Sequence, residues 1–250
     1  MERVLGIIPA RFASSRFPGK PLALINNKPM IQWVFEKVAP IFENLCVATD
    51  DERIKMAVEK AGGEVIMTSP DHRTGTERCR EAFEKISSEK KTEYTHVVNI
   101  QGDEPFIKTE QIFELLSCFD SEGTDIATLI QPFEKEGDIS NPNQVKVVVD
   151  RNYRALYFSR SPIPFIRSGD QGSWMKNFSY FRHTGIYAYR SKALLEITRL
   201  EPTPLELAES LEQLRWLENG YKIQTKISNY QSIGVDTPED LENIRKNLNL

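Results

Sequence analysis

Three cations, Arg11, Arg16 and Lys20, lie in the opening stretch "IIPARFASSRFPGKP" (residues 7–21), where Ser, Gly and Pro oppose a helix. Guanidinium forks together with a lysine point charge suit a nucleoside triphosphate, which carries about four negative charges. Neither familiar glycine-rich phosphate motif is present. A Walker loop needs Gly at position 14 and Ser or Thr at 21, where this chain has Ser14 and Pro21. A dinucleotide fingerprint needs GxGxxG, and the loop has only Gly19. Two readings remain, an anion loop facing inward from the end of a strand and a solvated basic surface loop.

Two carboxylates could hold a matching cation. In "NIQGDEP" (99–105) apolar residues lead into Gly102, where backbone can approach a ligand closely, and then into Asp103 and Glu104. An acid just past a strand suits Mg²⁺, which takes one or two carboxylates plus substrate phosphates. The competing reading is a turn with an Asp cap, and Glu104 before Pro105 reads as structural. In "GVDTPEDL" (234–241) Thr237, Pro238 and Asp240 form a helix start: N-cap, first-turn proline, first-turn acid. Asp236 is left over, as a second metal ligand or as a turn residue.

Two further stretches carry polar groups. "DHRTGTER" (71–78) sets Arg73, Thr76 and Arg78 around a glycine-containing helix start, where N–H groups and hydroxyls can meet a nucleotide. In "FRHTGIYAY" (181–189) the even separation of His183 and Tyr187 puts them on one face of a strand, although a structural histidine would fit there too. The chain has only 3 histidines, and no Ser/His/Asp or Cys/His arrangement stands out.

These residues need a frame. "RVLGII" (3–8), "NLCVAT" (44–49) and "THVVNI" (95–100) read as strands covered on both faces. Between them Ile31, Val34, Phe35 and Val38 share a helical face, as do Ile54, Ala57, Val58 and Ala61, then Cys79, Ala82, Phe83 and Ile86. Thr74 and Glu77 have capping-box spacing ahead of the third helix. Alternating strands and helices imply a parallel sheet with ligands at its carboxyl ends, which aligns residues 9–20, 50–51 and 101–104 along one edge. Farther on, "QVKVVVD" (144–150) and "RALYFSR" (154–160) read as a hairpin, followed by a Pro- and aromatic-rich stretch to Phe181 and the strand "HTGIYAY". The pattern then predicts a helix near 191–200, a longer one near 205–219, a strand near 221–227 and a last helix near 238–248. A chain of 250 residues with this pattern is expected to form one main domain.

Lys and Arg total 32 against 36 for Asp and Glu, so no global field draws nucleic acid or anionic membrane, and any anion is bound locally. No run approaches the roughly 20 apolar residues of a membrane span, and the first ten residues do not read as a signal peptide, so a cytoplasmic protein is expected. Cys46, Cys79 and Cys118 have no metal-ligand spacing and read as buried apolar filler in a reducing compartment.

Taken together, "IIPARFASSRFPGKPL", "VATDDERI", "HRTGTER", "NIQGDEPF", "ALYFSRSPIP", "HTGIYAY", "LEQLRWLENG" and "GVDTPEDL" resemble the 3-deoxy-manno-octulosonate cytidylyltransferases, in the family's order, from residue 3 to about 245. The resemblance implies an α/β class with the three-layer, Rossmann-like nucleotide-diphospho-sugar transferase fold and a mostly parallel central sheet. It implies one domain over 1–250 with residues 150–190 as a strand-rich sugar-binding and dimerisation lobe, in a homodimer. The implied reaction joins CTP to 3-deoxy-D-manno-octulosonate (Kdo) with Mg²⁺, giving CMP-Kdo and pyrophosphate ahead of lipopolysaccharide assembly. A related 2-keto sugar acid, 8-amino-Kdo or a sialic acid, is the alternative acceptor. By the resemblance, Arg11 and Lys20 match triphosphate-binding cations, with Arg16, Ser14 and Ser15 beside them. Asp103 and Asp236 match paired metal ligands, and Thr76 and Arg78 match the segment near the cytidine. Gln101, Arg160, His183, Tyr187, Glu212 and Gln213 match positions lining the sugar-acid pocket, and Gln101 is expected to bind the nucleotide as well. The run Ala208-Glu209-Ser210 departs from the bulkier stretch of some members, which bears on sugar specificity near Glu212.

Overall fold

A computed structural model of the chain describes residues 3–13, 16–167, 174–230 and 234–247. In chain order the first elements are β1 (Val4–Ala10), β2 (Leu24–Ile25), β3 (Lys28–Pro29), α1 (Met30–Val38), β4 (Asn44–Thr49), α2 (Glu52–Lys60), β5 (Glu64–Met67), α3 (Gly75–Lys90), β6 (His96–Asn99) and α4 (Thr109–Leu116). Next come β7 (Ile126–Pro132), α5 (Glu136–Ile139), β8 (Lys146–Val149), β9 (Ala155–Ser159), α6 (Trp174–Asn177) and β10 (Phe181–Arg190). The last are α7 (Ser191–Ile197), α8 (Pro204–Glu209), α9 (Glu212–Glu218), β11 (Ile223–Ile227) and α10 (Pro238–Asn247). They fall into two compact units. One is Met1–Glu110, Arg190–Thr198 and Gln231–Leu250; the other is Gln111–Tyr189 and Arg199–Tyr230.

The first unit is built on parallel strands in the order β6-β1-β4-β5. Leu5, Ile7, Ile8, Cys46, Val47, Val97 and Val98 are fully buried in them, as continuous apolar runs require when helices cover both faces. The helical faces read from periodicity pack inward: Ile31, Val34, Phe35 and Val38 on α1, Ile54 and Val58 on α2, and Cys79, Ala82, Phe83 and Ile86 on α3. The Thr74–Glu77 capping box forms as expected. A further core of Ile25, Met30, Val235, Leu241 and Ile244 takes Phe17, Trp33 and Phe106 against it, which seats α10 and the cationic loop on common ground.

In the second unit β7 runs antiparallel to β10 and parallel to β11. The anticipated hairpin is present, with β8 antiparallel to both β9 and β10. The expected α/β class is borne out. Strands β5 and β7 and helix α4 were not anticipated, because a short apolar run such as "IATLIQP" does not distinguish strand from helix by periodicity. The single helix expected over 205–219 is two, broken at Ser210, whose φ of 52° is left-handed. The aromatic run 174–180, within the expected dimerisation lobe, sends its two largest rings inward: Trp174 and Tyr180 pack with Phe133 and Ile139, and Phe178 stays exposed. All three cysteines are buried, and burial pushes the Cys46 and Cys118 thiols up to about 12, which keeps them protonated.

Candidate active site

In the first unit the carboxyl end of β1 opens into a cavity of about 260 Å³. Arg11, Arg16 and Lys20 line it together with Gln101, Gly102, Asp103 and Asp236. The cationic loop owes its course to packing on both sides of its charges. Gly19 is left-handed, with φ 73°, and its N–H donates to the Phe12 carbonyl at 2.9 Å. A Cβ there would meet the Phe12 ring at 3.0 Å, so glycine is required twice over. The Phe12 ring also carries the Arg53 guanidinium, 3.5 Å from its centroid, and Asp51 holds that guanidinium through two hydrogen bonds of 2.9 and 2.6 Å. Lys20 then begins a short 3-10 turn ending at Leu22.

Opposite charges converge on that lysine. Lys20 Nζ donates to Asp103 Oδ2 at 2.5 Å and lies 3.5 Å from Asp236 Oδ1, while Arg16 Nη2 donates to the same Asp236 oxygen at 3.1 Å. The two acidic segments are joined by backbone, since the Val235 N–H donates to the Asp103 carbonyl at 2.9 Å. Asp236 is freed from capping work because Asp240 performs it. The Asp240 carboxylate accepts from the amides of Asp236 and Thr237 and from the Thr237 hydroxyl, at 3.0, 2.8 and 2.9 Å. Against the opposing effect of burial, these bonds hold its acid below the usual carboxylate range. Gly102 passes so close to β1 that a Cβ would sit 3.0 Å from the Pro9 carbonyl oxygen. Glu104 is buried and does not line the cavity, in keeping with its structural reading.

Arg73, Thr74, Gly75 and Arg78 form another wall, at the start of α3. The N–H groups of Arg73 and Thr74 donate to the Glu77 carboxylate, at 2.7 and 3.4 Å. Arg78 is 2% exposed and is held by Asp50 at 2.9 Å and by Thr68 Oγ1 at 2.5 Å. Thr76 is buried and is not part of the wall. His72, to which the sequence reading gave no role, lines the cavity and is tied to Glu81. Asp50 was expected at this sheet edge, but its pairing with Arg78 was not, since a buried arginine has no sequence signature. Ser14 and Ser15 lie outside the described residues.

The second unit holds the other expected residues. His183 and Tyr187 are in ring contact, with centroids 5.2 Å apart. The register of β10 against β7 shifts between Thr184 and Tyr187, where Gly185 and Ile186 are extra, and an insertion of two leaves the facing parity intact. His183 Nε2 is 3.0 Å from Thr128 Oγ1, which is itself 2.8 Å from the Ile186 carbonyl. The hydroxyl has one proton, and donating it to that carbonyl leaves its oxygen to accept from His183 Nε2–H. Burial pushes the His183 imidazole down to about 3, so it is neutral with Nδ1 unprotonated at neutral pH. Tyr187 Oη is buried and has no hydrogen-bond partner among the described residues. Burial foremost, then Tyr189 and Glu212, raise its phenol well above the ordinary value, so it stays a neutral donor. An unmet buried hydroxyl costs about 1–3 kcal/mol.

Glu212 starts α9 and approaches Arg215 at 3.3 Å, and Gln213 beside it is buried. Arg160 donates from Nε to the Glu209 carbonyl at 2.7 Å, from Nη1 to the Pro142 carbonyl at 3.0 Å and from Nη2 to the Ser210 carbonyl at 3.2 Å. Among the described residues, three of its five N–H groups are thus committed.

Known proteins can now be set beside this geometry. A profile of the cytidylyltransferase family matches residues 5–225. The 3-deoxy-manno-octulosonate cytidylyltransferase of Parabacteroides distasonis is 54% identical over 246 residues, covering 97% of this chain and 96% of that protein. The enzyme of the same name from Thermodesulfovibrio yellowstonii is 50% identical over 247 residues, 97% of each chain. Among solved structures, a CMP:2-keto-3-deoxy-manno-octonic acid synthetase complexed with CTP superposes with a TM-score of 0.88 at 40% identity over 98% of both chains. The 4-diphosphocytidyl-2C-methyl-D-erythritol synthase of Anaerococcus prevotii has a TM-score of 0.59 at 13% identity, over 99% of this chain and 98% of its own, a likeness of fold alone.

Proposed function

The chain belongs to the 3-deoxy-manno-octulosonate cytidylyltransferase family, and we propose how its own residues carry that reaction. It transfers CMP from CTP to the anomeric hydroxyl of Kdo and releases pyrophosphate. The observation that supports the assignment of residues is the Lys20 ammonium set against Asp103 and Asp236 in a cavity also lined by Arg11 and Arg16.

Arg11, Arg16 and Lys20 bind the triphosphate, Arg78 lies beside the nucleoside, and Gln101, lining the same cavity, serves the nucleotide and the sugar acid. The anomeric oxygen attacks the α-phosphorus in line; its bond to phosphorus forms as the bond to the β-phosphate's bridging oxygen breaks, and the hydroxyl proton is released. Such a transfer rests on positioning and charge stabilisation. Arg11 and Lys20 stabilise the charge that builds on the departing pyrophosphate. Asp103 and Asp236 fit a hard divalent cation, because both aim carboxylate oxygens at one cationic centre, and they would hold Mg²⁺. When bound, Mg²⁺ supplies charge neutralisation at the phosphates and lowers the pKa of the attacking hydroxyl.

Arg160 pairs with the sugar carboxylate through its uncommitted N–H groups. Tyr187, His183, Glu212 and Gln213 take the hydroxyls, the orphaned Tyr187 Oη being the group most in need of a partner. The enzyme works as a cytoplasmic homodimer feeding lipopolysaccharide assembly; exposed Leu156, Phe165 and Leu207 supply apolar surface for the pairing. No helix among the described residues is long and apolar enough to cross a membrane. The experiment is pyrophosphate release with CTP, UTP and ATP crossed against Kdo, 8-amino-Kdo and a sialic acid. CTP with Kdo is expected to dominate, and a higher kcat/KM with either other acid would move the assignment to that acceptor.

A further inference from the structure

Arg160 and Glu209 hold each other reciprocally. The Arg160 side chain donates to the Glu209 carbonyl, and the Glu209 side chain accepts from the Arg160 backbone N–H at 2.9 Å. The other oxygen of the Glu209 carboxylate accepts from Ser159 Oγ at 2.6 Å. The carbonyl of Arg160 is taken as well, by Lys146 Nζ, which also donates to the Asn141 carbonyl at 3.0 Å. Lys146 is a fully buried lysine, and desolvation lowers its pKa while Glu209 opposes that shift. Both main-chain groups of Arg160 are therefore gripped by ionisable side chains, whereas its guanidinium meets only neutral carbonyls. Among the described residues no carboxylate ion-pairs with it.

This arrangement is more than a surface contact needs. Lys146, Arg160 and Glu209 carry two positive charges and one negative, so one positive charge is left uncompensated on a guanidinium whose backbone cannot shift. Arg160 Nη2 also reaches the carbonyl of Ser210, the left-handed residue that separates α8 from α9. A non-glycine residue in that conformation costs about 1 kcal/mol, which its surroundings must repay. The arginine and the start of α9, where Glu212 and Gln213 lie, are thus tied to one clasp.

We propose that Glu209 is a positioning residue of the sugar-acid half of the reaction, acting through Arg160 so that the guanidinium is presented, already oriented, to the carboxylate of the incoming acid. The inference rests on the reading of Arg160 as the partner of that carboxylate.

The test measures KM for Kdo and for CTP in Glu209→Gln, Arg160→Ala and the double variant, with thermal unfolding of each. In Glu209→Gln an amide NH₂ replaces one acceptor and faces the Ser159 hydroxyl or the Arg160 N–H. KM for Kdo is expected to rise about tenfold, the loss of roughly one well-oriented charged hydrogen bond, with KM for CTP within about twofold of the parent. The double variant is expected to be no worse than Arg160→Ala alone, because Glu209 has nothing left to orient. An unchanged KM for Kdo in Glu209→Gln, equal rises for both substrates, or additive losses in the double variant would each overturn the inference. Should Glu209→Gln not fold, Ser159→Ala removes one bond of the clasp and is expected to raise KM for Kdo about threefold, an unchanged value again overturning it. If Arg160→Ala itself leaves KM for Kdo unchanged, the carboxylate reading fails and the inference falls with it, a result distinct from failure of Glu209→Gln alone.

Discussion

The Lys20 ammonium lies 2.5 Å from the Asp103 carboxylate, although the two residues come from loops behind different strands, β1 and β6. Parallel pairing of β1 with β6, from Val4 opposite His96 to Ile7 opposite Asn99, brings the ends of both strands to the same level. The side chains therefore meet by topology. On the proposed function, a triphosphate and its divalent cation would take over these pairings from the protein.

Asp103→Asn tests the acidic side of that pairing. The amide keeps the size of the side chain and removes its charge, so the fold should persist. Turnover is expected to fall by about 100-fold or more, as when a charged group facing the transition state is removed. Steady-state assays of the purified variant at saturating Mg²⁺ decide it, and near-normal kcat would overturn the role given to Asp103.

Gly102→Ala tests the positioning of that carboxylate without touching it. The added Cβ falls 3.0 Å from the Pro9 carbonyl oxygen, a backbone atom of β1 that cannot swing aside. The 101–103 turn must move outward and carry Asp103 with it. Activity is expected to drop about tenfold, because small misplacements of a reacting geometry are costly. A kcat within twofold of the parent would show that the turn absorbs a methyl group without moving Asp103.

Arg78 is expected to matter for stability beyond any contact with nucleotide. Its guanidinium is 2% exposed and paired with Asp50, so Arg78→Met leaves a largely buried carboxylate unpaired. Breaking one side of such a pair costs about 3–5 kcal/mol. Urea unfolding followed by circular dichroism should show a clearly lower midpoint, and an unchanged midpoint would show that Asp50 reaches water.

The contrast between the residues legible in the sequence and those that were not has physical causes. Thr74 with Glu77, and Thr237 with Pro238 and Asp240, announce helix starts because capping is local, and both form as read. Strand Asn44–Thr49 matches the apolar run read there residue for residue. The pairing of Lys20 with Asp103 was only implied, since it depends on strand order. Lys146 was missed altogether, and Asp50 and Glu209 were placed at the sheet edge and near the sugar pocket without their partners: each is a charged residue whose partner is distant in sequence. The break at Ser210 escaped notice for a related reason, as Arg160, fifty residues away, holds it.

Acid should act on the fold through His183. Its folded pKa is pushed down to about 3 by burial, from an ordinary 6.5. Between those values the unfolded chain binds a proton that the folded chain does not, so stability falls as pH drops from 6.5 towards 3. His183→Asn is expected to flatten this window by up to one proton's worth of slope. Urea midpoints from pH 7 to 4 measure it, and parallel profiles for parent and variant would show that His183 titrates normally in the fold.

The most direct test of the account is phosphorus NMR of the purified protein with CTP, Kdo and Mg²⁺. The account predicts that CTP is replaced by CMP-Kdo and pyrophosphate in equal amounts, and that nothing changes when Kdo is left out. CTP that persists beside Kdo, or that is consumed to free CMP or orthophosphate without a phosphodiester to the sugar, would contradict it.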